Sequence, residues 1–124
     1  MIAGIGTDIT ETKRFEKWIK NPLMLERFFN QKEQSSAKSD SAKCQHYAAR
    51  FAAKEAFSKA LGTGLSGFSL KDVYITNNSE GKPELNIEGA ALSLVTQRFG
   101  ECNVHVSLSH ERAYAVAFVI LEKR

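Results

Sequence analysis

The chain has little of what marks a metal cluster, a disulfide framework or a membrane anchor. Only two cysteines occur in 124 residues, Cys44 and Cys102. They are far apart and show no CxxC or metal-ligand spacing, so two packed, reduced thiols in a cytoplasmic protein are expected. No apolar run approaches the roughly 20 residues that span a bilayer. The N-terminal MIAGI has no basic region ahead of it, and Asp8 interrupts it early, so a targeting segment is not expected. The net charge of +3 is too small for bulk nucleic-acid binding, and any basic surface has to be argued locally. A Ser-His-Asp or Cys-His arrangement is missing as well. GIGTDI lacks the third glycine of a dinucleotide fingerprint, and GTGLSGF lacks the Lys-Ser or Lys-Thr pair that ends a phosphate loop.

The rest of the composition is ordinary. Hydrophobic residues make up 43% and charged residues 25%, which suits one soluble domain over residues 1–124. The stretch that organises it is RFAAKEAFSKALGTG, Arg50 to Gly64. Ala49, Ala52, Ala53, Ala56, Phe57, Ala60 and Leu61 recur at helical spacing and are expected to bury together. Lys54, Glu55, Ser58 and Lys59 fall between them as a polar stripe. Gly62 ends the helix. So many alanines let another backbone come close.

Met1 to Ile9 reads as a strand. Ile5, Thr7 and Ile9 point one way, and Gly4, Gly6 and Asp8 the other. Two glycines on one strand face suit close approach of a backbone or ligand; a solvated strand edge is the other reading. Thr10 is placed to cap a following helix that carries Lys13, Arg14, Lys17 and Lys20. Pro22 breaks or restarts it, and Arg27 adds a cation to a second short helix. This basic face is either solvated surface or a landing site for an acidic protein. Gln31 to Gln45 reads as a loop or frayed helix.

The long helix is expected from about Ala42 to Leu61. Asp72 to Thr76 and Glu84 to Glu88 then form a hairpin. Ala90 to Phe99 is helical and ends at Gly100. Asn103 to Ser109 and Tyr114 to Leu121 are two more strands. The last is apolar on both faces, more than a small domain can cover alone, so a homo-oligomer is expected. The fold class is α+β, an antiparallel sheet with helices packed on one side.

Asp8 and Glu55 are the carboxylates to pair, each on its own rigid element. Such a pair suits Mg²⁺, which takes hard oxygen ligands and completes its shell with water and substrate phosphates. Lys54 and Lys59 would then neutralise phosphate charge. Spacing alone also allows an ordinary Glu55–Lys59 surface pair worth about 0.3–0.5 kcal/mol. His110, at a strand end, suits a phosphate donor, a base or a turn cap.

Together GIGTDITE (Gly4–Glu11), RFAAKEAFSKALGTG, GKP (Gly81–Pro83) and VSLSH (Val106–His110) resemble the holo-acyl-carrier-protein synthase family of small bacterial 4′-phosphopantetheinyl transferases. The resemblance runs from the first strand to the last and is weakest across Gln31 to Gln45. It implies transfer of the 4′-phosphopantetheine arm of coenzyme A to a serine of apo acyl carrier protein, for fatty-acid synthesis, with adenosine 3′,5′-bisphosphate leaving. It implies Asp8 and Glu55 as Mg²⁺ ligands and Lys59 as a phosphate contact that steadies the leaving group. Lys54, Ser58, Gly62 and Thr63 match coenzyme A contacts, and Pro83, Ser109 and His110 match positions near its nucleotide. Lys13, Arg14 and Arg27 become docking residues for the acidic carrier. The family is typically a homotrimer with sites between subunits, and no nucleic acid or membrane is involved. Two alternatives stay open: the same chemistry on a carrier of another pathway, and a non-enzymatic module that binds acidic proteins.

Overall fold

A computed structural model describes residues 1–124. Three strands form one antiparallel sheet: β1 (Ile2–Glu11), β4 (Cys102–His110) and β5 (Tyr114–Lys123), in the order β1-β5-β4. Strands β2 (Val73–Asn77) and β3 (Pro83–Ile87) form a separate antiparallel hairpin. Helix α1 (Pro22–Phe28) is short, α2 (Asp40–Leu61) is the central helix, and α3 (Gly89–Phe99) follows the hairpin. The α+β class, the hairpin, the two late strands and the helix stop at Gly62, with φ of 89°, match expectation.

Helix α2 starts at Ser39, whose side chain accepts from the Ala42 amide as an N-cap. Its alanine-rich half lies on the inner face of the sheet. Ala52, Ala53, Ala56 and Ala60 pack with Ala117, Val119 and Leu121 of β5, all buried. Gly4 and Gly6 of β1 face the same helix, and here glycine is required. A Cβ on Gly4 would lie 2.0 Å from the Ala60 carbonyl oxygen, and one on Gly6 would lie 2.0 Å from that of Ala56. The register that pairs Gly6 with Val119 pairs Asp8 with Ala117, so Asp8 lies on this helix-facing side just beyond the close contact. A second core surrounds the other half of α2, where Phe15, Phe29, Tyr47 and Phe51 are buried.

Three expectations need correction. Thr10 does not cap a helix: β1 continues to Glu11, opposite Tyr114, and the Thr10 hydroxyl donates to Asp8 Oδ2 at 2.7 Å. The basic segment after it is two short 3₁₀ turns, Thr12–Phe15 and Trp18–Lys20, before Pro22 opens α1 with Asn21 as N-cap. The polar stripe of α2 is also not a surface stripe. Lys54 and Ser58 are fully buried, because the helix is covered on its far side by the turn at Gln31–Glu33 and by β2.

The outer face of the sheet has no cover. Ile5, Ile9, Tyr114 and Phe118 are 60%, 64%, 45% and 46% exposed. They lie side by side, since Thr7 pairs with Phe118 and Glu11 with Tyr114. Both cysteines are free thiols, and no helix is long and apolar enough to cross a membrane.

Gly6→Ala should separate β1 from α2, because the atoms it meets are backbone and cannot rotate away. We expect a loss of about 3 kcal/mol, read as a lowered midpoint in chemical denaturation. The same change at Gly81, whose added Cβ meets nothing within 4 Å, should cost only its positive-φ strain.

Candidate active site

Where β1 passes α2, three side chains converge. Asp8 Oδ1 accepts from the Lys59 ammonium at 3.2 Å, and Lys59 also reaches the Thr7 carbonyl at 3.0 Å. Asp8 Oδ2 is held by Thr10. Glu55, one helical turn before Lys59, stands near enough to Asp8 for the two carboxylates to repel. Burial first, and then the Asp8 charge, push the Glu55 carboxyl above its usual range, with Lys59 and Arg14 opposing. Lys59 therefore forms its ion pair with Asp8 and not with Glu55, which overturns the reading of an ordinary Glu55–Lys59 surface pair.

Two carboxylates held in mutual repulsion are a site for a cation. No cluster of three or more His, Cys, Asp or Glu side chains is poised to hold a metal. The donor set here is two hard oxygen ligands with the remainder open, which fits Mg²⁺ bound partly by water and phosphate. Arg14 adjoins the pair, its guanidinium stacked 4.7 Å from the centre of the Phe51 ring. Lys13, Arg14 and Lys17 line a groove of about 650 Å³ together with Ile9, Thr10, Glu11 and Glu16, so its cations are interleaved with two carboxylates. Arg27 lies on α1 over Phe28, outside that groove.

The remaining candidates divide. Gly62 and Thr63 follow α2 at its C-terminal end, close in sequence to Lys59. Ser58 gives its hydroxyl to the Glu55 carbonyl at 2.7 Å and is buried, so it braces the helix turn that carries Glu55. Lys54 is a clear correction as a coenzyme A contact. All of its donors are engaged inside the protein, by Glu33 at 2.7 Å and by the Leu70 and Val73 carbonyls. Burial pulls its ammonium down, and the Glu33 carboxylate counters this.

His110, which follows Ser109 at the end of β4, meets the first half of α2. His110 Nδ1 meets Gln45 Oε1 at 2.9 Å, and Gln45 is ten residues before Glu55. At about 1.5 Å per residue that is roughly 15 Å along α2, and Gly62 is roughly 25 Å away. His110 opens on a separate cleft of about 550 Å³, lined also by Ser35, Ser39, His46, Arg50 and Asn77. Pro83 pairs with Asn77 at its border. A single chain thus brings Asp8, Glu55 and Lys59 together and leaves Ser109, His110 and Pro83 apart from them.

Glu33, His46 and Arg50 were not anticipated. Asn30 and Glu33 form a capping box, whose N-x-x-E spacing is visible in the sequence. His46 and Arg50 are one helical turn apart, a spacing that places them on one face. Burial and the nearby Arg50 charge lower the His46 pKa to about 4, so its ring is neutral at pH 7.

Against this geometry, the match with known proteins is decisive. Residues 4–119 match the model of the 4′-phosphopantetheinyl transferase superfamily. The chain belongs to that superfamily. A curated relative from Treponema denticola, named holo-[acyl-carrier-protein] synthase, is 48% identical over 98% of this chain and 99% of its own. One of the same name from Geobacter sulfurreducens is 45% identical, over 99% of each chain. A crystal structure of the Bacillus anthracis holo-(acyl-carrier-protein) synthase, described as a complex with CoA (3′,5′-ADP), superposes with a TM-score of 0.83. It is 38% identical and covers 100% of this chain and 99% of that one. The phosphopantetheinyl transferase resemblance seen in the motifs is therefore correct for the family and the fold.

The raised Glu55 pKa predicts a trade between stability and function. Its folded value lies above the unfolded one, so folding is favoured while the carboxyl is protonated, and that stability is lost as pH rises through the folded value. Glu55→Gln should raise the melting temperature of EDTA-treated protein at pH 7–8. The difference should shrink as pH falls and the native Glu55 takes up a proton.

Proposed function

We propose that this protein transfers the 4′-phosphopantetheine arm of coenzyme A to a serine hydroxyl of an apo acyl carrier protein. A new P–O bond to the serine forms, the pyrophosphate P–O bond breaks, the serine proton is released, and adenosine 3′,5′-bisphosphate leaves. The observation that carries this reading is the Asp8–Glu55 pair beside Lys59, in a chain matched end to end by relatives named for that reaction.

Mg²⁺, held by Asp8 and Glu55, would offset the negative charge of the pyrophosphate. The chain's own groups do the rest, and catalysis of this type is mainly positioning and charge stabilisation. Lys59 stands beside Asp8 with its ammonium half exposed and can swing to a phosphate oxygen as charge develops on the leaving group. Gly62 and Thr63 follow Lys59 beyond the C-terminal end of α2, where they can line the path of the pantetheine arm. The nucleophile belongs to the carrier. Lys13 and Arg14 give an acidic carrier a basic landing beside the carboxylates, which raises the encounter rate and sets orientation. Arg27 extends that surface on α1. Such chemistry suits a cytoplasmic enzyme of fatty-acid synthesis.

The separation of His110 from Lys59 favours a site completed by a second copy. The uncovered stripe of Ile5, Ile9, Tyr114 and Phe118 supplies an apolar surface for such association, and a homotrimer is the assembly the family resemblance suggests. Ser109, His110 and Pro83 of one chain would then receive the nucleotide whose pyrophosphate lies at Asp8 and Glu55 of another.

Intact mass of apo acyl carrier protein after incubation with coenzyme A and Mg²⁺ tests the reaction. One added phosphopantetheine is expected. The rate should fall at least about 10²-fold in Asp8→Ala, Glu55→Ala and Lys59→Met, and EDTA should abolish it. A competent carrier left unmodified by folded protein would overturn the proposal. Mixing inactive Asp8→Ala and His110→Ala chains should restore part of the activity; no recovery in verified mixed oligomers would refute the shared site.

A further inference from the structure

The most unusual group outside the site is the buried ion pair of Lys54 and Glu33, each with a fully buried side chain. Neither has a free hydrogen-bonding position of consequence. The Lys54 ammonium donates to Glu33 Oε1, to the Leu70 carbonyl at 2.9 Å and to the Val73 carbonyl. Glu33 Oε1 also accepts from the Asn30 amide at 3.0 Å, and Oε2 accepts from the Ile75 amide at 2.9 Å. Asn30 Nδ2 in turn donates to the Lys71 carbonyl at 3.0 Å. One helix residue thus ties down three separate pieces of backbone: the turn at Asn30–Glu33, the turn at Leu70–Asp72, and the start of β2.

These pieces lead into the cleft that holds His110. The segment Gln34–Ser39 leaves directly from the Glu33 turn, and β2 ends at Asn77, opposite Pro83. The Glu33 carbonyl contacts His46, and the Tyr47 hydroxyl accepts from the Ser35 amide at 3.0 Å, so the wall is fixed to α2 along its length. The carboxylate site is anchored differently. Asp8 is placed by the glycine contact of β1 with Ala56 and Ala60, in which Lys54 takes no part. The two halves of the ligand site therefore have independent supports on the same helix.

We infer that Lys54 and Glu33 are positioning residues for nucleotide recognition: their ion pair sets the wall of the His110 cleft relative to α2, and with it the affinity for the adenosine 3′,5′-bisphosphate half of coenzyme A. The inference rests on the proposed transferase reading. An apolar pair could fill the same volume, but packing fixes neither the direction nor the length of a contact as hydrogen bonds from an ammonium do.

The double variant Lys54→Met/Glu33→Gln leaves no buried charge unpaired and tests this directly. The KM for coenzyme A and the Kd for adenosine 3′,5′-bisphosphate, by calorimetry, should each rise about tenfold, the cost of ordering a few loop side chains at binding. kcat should stay within about twofold, and the Mg²⁺ concentration for half-maximal rate should not move, since neither depends on the wall. A folded double variant with wild-type KM and Kd, whatever its melting temperature, overturns the inference; so does a fall in kcat with unchanged nucleotide affinity. If the double variant does not fold, Asn30→Ala removes the side-chain bonds to the Lys71 carbonyl and the Lys32 amide and leaves the ion pair. It should raise the same two constants by about threefold, and wild-type values there also overturn the inference. Wild-type protein that binds the bisphosphate but never modifies a carrier would count against the transferase reading alone, and the Kd comparison would still stand.

Discussion

The closest constraint in the molecule is the contact of one strand with one helix. Gly4 and Gly6 let β1 lie against the Ala56 and Ala60 backbone with no side chain between them. Hydrophobic burial alone does not require so short a distance, since bulkier residues would cover more area. Its effect is geometric. A strand this near a helix presents its next inward residue, Asp8, at the level where α2 presents Glu55. Repulsion between the two carboxylates, relieved by Lys59 and Arg14, follows from that distance. The carboxylate pair is thus a by-product of small residues on both partners, and a single methyl group would disturb it.

Much of this was legible beforehand because it was written in periodicity. Alternation in β1 separates Gly4, Gly6 and Asp8 from Ile5, Thr7 and Ile9, and helical spacing in α2 gathers the alanines. Gly62, Gly100 and Pro22 mark ends for local reasons that hold in any context. What periodicity cannot report is how many sides of a helix are covered. Lys54 and Ser58 occupy polar positions between apolar ones, and the pattern reads them as surface. Tertiary structure brings the Glu33 turn and β2 over that side, and the polar atoms are satisfied inside. Thr10 misled for a related reason: its capping chemistry is real, but pairing with β5 carries the strand past it to Glu11.

The site itself was legible in kind and not in arrangement. Asp8, Glu55 and Lys59 do converge, because each sits on a rigid element whose relative placement the glycines dictate. Ser109, His110 and Pro83 do not join them, because α2 is long and they stand by its other half. Spacing along a sequence gives no measure of such a separation. The same length gives α2 its central role: it contributes to both cores, to the carboxylate pair and to the His110 cleft.

The pairing of β1 with β5 has one more consequence. It joins nearly the first residues of the chain to nearly the last, Ile2 to Glu122. Contacts so remote in sequence form late and slowly, since the loop between them must close first. During synthesis β1 leaves the ribosome with no sheet partner, and it stays so until β5 has emerged. Asp8 is therefore made long before Ala117, the β5 residue it pairs with, and is seated only once that strand arrives. Any nascent chain that stops short of β5 holds the GIGTDI segment as an unpaired, apolar edge, a form suited to recognition by chaperones or proteases rather than to catalysis.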